Sequence, residues 1–91
     1  MRTHCQRICV EVTQDHIIHG RRSDCTACPV ALALEDVVPG PWYVNALWLY
    51  NTRKWEIKTP KNVEEFMLAF DSGQPVQPFS FEIDAPVHLP P

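Results

Sequence analysis

Between Arg7 and Thr13 apolar and polar side chains alternate, with Ile8, Val10 and Val12 on one side and Cys9, Glu11 and Thr13 on the other. Period two with β-branched residues predicts a strand with one buried face. Thr13 can then cap a short helix, Gln14–His19, that Gly20 ends at a position tolerant of positive φ. A polar connector, Arg21–Asp24, follows. Ser23 or Asp24 suits the N-cap of a second helix over Cys25–Val38, in which Pro29 fits only the first turn, where a missing N–H costs little. Val30, Ala31, Leu32, Ala33 and Leu34 are apolar around the whole circumference, so this helix is expected at the centre of the domain.

Trp42–Tyr50 and Arg53–Thr59 read as a β-hairpin turning near Asn51-Thr52, with Trp42, Val44, Ala46, Trp48 and Tyr50 on one face. A third helix is predicted over Lys61–Asp71. Its start is capped either by Asn62 with Glu65 or by Thr59 ahead of Pro60, and its buried stripe is Val63, Phe66, Met67 and Phe70. Gly73 stops it, and a last strand over Val76–Ile83 alternates Phe79, Phe81 and Ile83 with Ser80 and Glu82. The order β-α-α-β-β-α-β gives an α+β fold, a small, mainly antiparallel sheet with helices on one face. One domain is expected over residues 1–84, and Pro86, Pro90 and Pro91 give residues 85–91 the character of a flexible tail.

Composition narrows the function more than the fold. With 91 residues there is room for one core, and 45% hydrophobic residues with four Phe, three Trp and two Tyr argue against disorder. A net charge of −3 argues against general nucleic-acid binding, which draws on a basic face. No apolar run approaches the roughly 18 residues of a membrane span, and Met1–Val10 is too polar for a signal peptide. The four cysteines are therefore expected as reduced thiols in a cytoplasm.

Three features carry candidate chemistry. His16, His19, Cys25 and Cys28 form H-x2-H-x5-C-x2-C, a donor set that suits tetrahedral zinc. The competing reading makes both cysteines small core hydrophobes and both histidines surface residues, and it is preferred, so no cofactor is expected. Cys-x2-Cys before a helix also has the form of a redox dithiol, but Pro29 follows the second cysteine rather than lying between the two. Arg21, Arg22 and Ser23 precede the central helix, where free N–H groups and the dipole attract phosphate. Trp48 and Trp55 could stack a base beside it. For catalysis there is no Gly-rich phosphate loop, no H-E-x-x-H and no nucleophile elbow, so the chain is not expected to be an enzyme.

Two stretches carry a resemblance. Val12-Thr13-Gln14-Asp15-His16-Ile17 with Gly20, then Cys25 and Cys28-Pro29-Val30-Ala31-Leu32-Ala33-Leu34, form the first; Phe70-Asp71-Ser72-Gly73-Gln74-Pro75-Val76-Gln77-Pro78-Phe79-Ser80-Phe81 forms the second. Together they resemble a family of small, uncharacterised proteins encoded by bacteriophages and prophages, with the pattern V-T-x-x-H-I-x-x-G … C-P-V-A-L-A-L … F-D-x-G-x-x-V-x-P-F-x-F. The Trp42–Thr59 segment carries no motif of that family. The resemblance implies an accessory role inside the host cell, of the kind that counters host defence. One such role is a homo-oligomeric sponge that sequesters a small anionic nucleotide signal, held here by Arg21, Arg22, Ser23, Trp48 and Trp55. The alternative is a protein-interaction module that inhibits a host defence or regulatory protein, with or without a zinc staple.

Overall fold

The computed structural model describes residues 4–38, 41–51 and 55–87. Along them the chain forms β1 (His4–Val12), α1 (Gln14–His19), α2 (Pro29–Val37), β2 (Trp42–Val44), β3 (Trp48–Asn51), β4 (Trp55–Lys58), α3 (Lys61–Asp71) and β5 (Phe79–Val87). The class is α+β with antiparallel strands, as expected. The strands divide into two sheets rather than one. β1 pairs with β5 from His4↔Val87 to Val12↔Phe79, and β2, β3 and β4 form a meander. Chain ends nearly eighty residues apart thus share one ribbon, and Val10 and Val12 of β1 face the core with Phe81 and Ile83 of β5. β5 continues through Ala85 to Val87, past the expected start of the tail, while residues 88–91 lie outside the described residues.

Thr13 caps α1 as expected, and it does so in a capping box with His16: the His16 N–H donates to Thr13 Oγ1 at 3.4 Å and the Thr13 N–H donates to His16 Nδ1 at 2.9 Å. Gly20 follows it for a different reason than chain reversal. Its φ of −71° is open to any residue, but a Cβ there would lie 2.5 Å from Cγ and Cδ of Pro29. The glycine is needed for close approach to the first residue of α2.

α2 starts later than expected, and its cap is neither Ser23 nor Asp24. Cys28 is the N-cap, its Sγ accepting the Ala31 N–H at 3.4 Å. Asp24 instead closes the turn before the helix, Oδ1 accepting from the Thr26 N–H and hydroxyl and from the Ala27 N–H. Local side-chain bonds of this kind compete with helix, which is why the turn holds residues that could otherwise have extended α2. The all-round apolar segment is central as expected: Val30, Ala31, Ala33 and Leu34 are buried.

The expected long strand Trp42–Tyr50 is broken at Asn45. Its Oδ1 accepts the N–H groups of Leu47 and Trp48, both at 2.8 Å, and its own N–H donates to the Trp48 carbonyl. This tight turn makes β2 and β3 two strands and changes which residues point inward. Trp42 and Val44 share a face, as expected, and it is the buried one, but Leu49 and Asn51 take the inner positions on β3, leaving Trp48 46% exposed.

α3 has the expected bounds and stripe, with Val63, Phe66 and Phe70 buried and Met67 packed against them. Its cap differs from both expectations. Pro60 is the N-cap without a side-chain bond, the Thr59 hydroxyl donates to the Asn45 carbonyl at 2.9 Å, and Asn62 Nδ2 donates to the Ser80 carbonyl. Gly73 ends the turn after α3 at φ +78°, a conformation that favours glycine.

Candidate functional site

The connector before α2, the β2–β3 turn and the outer side of α3 enclose a cleft of about 250 Å³. Backbone bonds fix its walls. The Ser23 N–H donates to Asp71 Oδ1 at 2.9 Å, tying the connector to the end of α3. The Val44 N–H donates to the Cys25 carbonyl at 2.8 Å, and the Thr59 N–H donates to the Leu47 carbonyl at 3.0 Å. Ser23 holds the connector's bend in the left-handed region at φ 55°.

Cys28, Val44 and Met67 give the cleft an apolar floor, and Asp24, Glu64 and Asp71 supply charge. Among the described residues, no Lys, Arg or His belongs to its lining. Hydrogen bonds from the Thr26 backbone and hydroxyl, then from Ala27, hold the Asp24 carboxyl below the usual carboxylate range, so it is ionised at neutral pH. Burial pushes the Cys28 thiol up, and the Asp71 charge pushes the same way. Cys25 is the exposed thiol of the same cleft. Two large apolar side chains are exposed here: Leu68, on the cleft lining, is 60% exposed, and Leu47, next in sequence to the lining residue Ala46, is 69% exposed.

The cysteines and histidines weighed as a zinc donor set separate into three places. Cys25 and Cys28 share the cleft. His16 bonds Asp36 through Nε2 at 2.6 Å, and His19 Nδ1 bonds the Asp15 carbonyl at 2.8 Å. Among the described residues no group of three or more His, Cys, Asp or Glu converges on one point. A dithiol mechanism also lacks support, because a reactive thiolate is favoured by positive surroundings and this cleft is negative.

The expected phosphate grip does not assemble at the start of α2. Cys28 is 4% exposed, Pro29 and Val30 are buried, Pro29 has no N–H, and the Ala31 N–H is spent on Cys28 Sγ. Arg21 and Arg22 are exposed and line none of the three principal cavities; the Arg22 guanidinium packs over Gly73. Ser23 lines the cleft, but its N–H serves Asp71. Trp48 is exposed at the start of β3 and is not part of the cleft's lining, and the Trp55 side chain lies outside the described residues.

A second cavity of about 260 Å³ brings Cys9, Glu11, His16 and Asp36 together, a grouping that invites comparison with a Cys-His-Asp triad. The hydrogen bonds rule that out. Nδ1 of His16 accepts from the Thr13 amide, which leaves Nε2 as the donor to Asp36. No ring nitrogen remains to take a proton from Cys9.

The sequence reading missed Glu64, Asp71, Leu47 and Leu68. Leu68 offered a signal, as an apolar residue off the buried stripe of α3; the others reach the cleft only through tertiary contacts. No family model, curated protein or solved structure matches the chain.

Proposed function

We propose that the protein is a non-enzymatic binding module that docks on another protein through the cleft and the leucines beside it. The observation that carries this reading is the exposure of Leu68 on the lining of a walled, apolar-floored depression, and of Leu47 and Trp48 in the segment that follows its lining residues Asn45 and Ala46. Large apolar side chains grouped on a small domain cost solubility, and their use in a contact is the physical reason to keep them. The phage-type resemblance supplies the context: a small accessory protein that occupies a host defence or regulatory protein. A small anionic nucleotide is the less supported ligand, because in this cleft it would meet three carboxylates and no cation.

The test is capture from a bacterial host lysate by the wild type and by a Leu47→Asp, Leu68→Asp variant. One stoichiometric partner retained by the wild type and lost by the variant is the expected result. No retained partner, or equal retention by both proteins, would overturn the reading. Calorimetry against cyclic dinucleotides gives the opposing arm: saturable binding that Arg21→Ala, Arg22→Ala abolishes would restore the nucleotide reading.

A further inference from the structure

We infer that the cleft between α3 and the 23–28 connector is an anchor pocket for one cationic side chain, arginine or lysine, presented by an apolar stretch of the partner. The inference rests on the protein-docking reading above and names the chemistry of what is docked. Three properties of the cleft converge on it.

The first is size. About 250 Å³ lies below the roughly 300–1,000 Å³ of pockets that take whole small molecules, and suits a single large side chain. The second is the division of its surface. Val44, Met67 and Leu68 offer apolar contact along one part, while Asp24, Glu64 and Asp71 offer carboxylates. Arginine and lysine have the matching form, an aliphatic stem that lies on apolar surface and a charged head that seeks an acceptor. The third is unspent acceptor capacity. Asp24 and Asp71 each use Oδ1 on internal N–H groups, and among the described residues the Glu64 carboxylate takes part in no hydrogen bond or ion pair. A guest cation entering the depression meets carboxylates on its lining and, among the described residues, no competing Lys, Arg or His. Leu47 and Trp48 then cover the residues on either side of the anchor and exclude water from it, the arrangement found around strong contact residues.

The test is an amide-resolved NMR titration of the full chain with N-acetyl-L-argininamide, N-acetyl-L-lysinamide and the neutral isostere N-acetyl-L-citrullinamide. Saturable shifts confined to residues 23–28, 44–47 and 64–71 are expected with one or both cationic probes. Binding of the neutral isostere should be about tenfold weaker. Glu64→Gln should weaken cation binding by a similar factor with the rest of the spectrum unchanged, since the Glu64 carboxylate supports no internal bond. Absence of saturable shifts in the cleft, or an equal response to citrullinamide, overturns the anchor. The two proposals fail separately. A captured partner that depends on Leu47 and Leu68 but is indifferent to Glu64→Gln and to added argininamide would remove the anchor and leave the docking reading. Cleft shifts with argininamide, in a protein that captures no partner, would do the reverse.

Discussion

Replacing Gly20 by alanine separates two explanations of that glycine that have opposite signs. The backbone there is at φ −71° and ψ 150°, which alanine adopts freely, so chain entropy alone would make Gly20→Ala stabilising by about 0.4–1 kcal/mol. Packing argues the other way. The new methyl would sit 2.5 Å from Cγ and Cδ of Pro29 and 2.7 Å from its nitrogen, against about 3.5–4.0 Å for relaxed carbon contacts. Pro29 is buried, its ring cannot rotate aside, and it opens α2, the helix at the centre of the core. Overpacking of this kind costs about 1–3 kcal/mol. The net expectation is a loss of roughly 1–2 kcal/mol, or a Tm lowered by roughly 5–15 °C for a domain of this size. Thermal and urea denaturation followed by circular dichroism measure it. In a Pro29→Ala background most of the Gly20→Ala cost should vanish, because the clashing ring atoms are gone. A Gly20→Ala protein that melts at or above the wild type would refute the close-approach argument.

Other substitutions probe the turn, the caps and the ionisable groups. Asn45→Ala leaves the Leu47 and Trp48 N–H groups without their acceptor and should cost about 1 kcal/mol; the amides of residues 45–48 should also exchange faster with solvent. Trp42→Ala, at a fully buried ring whose Nε1–H donates to the Val38 carbonyl, should cost about 3–5 kcal/mol in urea unfolding. The raised Cys28 thiol means that the unfolded chain releases its proton first as pH climbs. Stability should hold below about pH 9 and fall above it, and Cys28→Ala should remove that alkaline loss, read from urea midpoints between pH 7 and 10.5. Asp24 has the opposite sign. Its depressed carboxyl contributes stability above its ordinary value of 3.8 that is lost as pH falls further, and Asp24→Asn should flatten that acid limb.

Periodicity carried β1, α3 and the α+β class, because a buried stripe or an alternating face is written in local spacing, and the Thr13 cap with the Gly20 stop carried α1. Val63, Phe66 and Phe70 needed no tertiary knowledge to be placed inward, and neither did Val30 to Leu34. What local spacing could not decide was competition between partners. Asn45 and Asp24 each form side-chain bonds that end or delay regular structure, and those bonds turned one expected strand into two and moved the start of α2 to Pro29. The pairing of β1 with β5 is a choice made across the whole chain, and it left β2 to β4 as a separate sheet. The cleft is the furthest from legible. Its carboxylates, thiols and apolar side chains come from three separate stretches, 23–28, 44–46 and 64–71, and only the folded chain brings them within reach of one guest. The same assembly buried the amino end of α2 that sequence alone would leave open to an anion, since a helix start surrounded by core residues offers no free N–H to bind one.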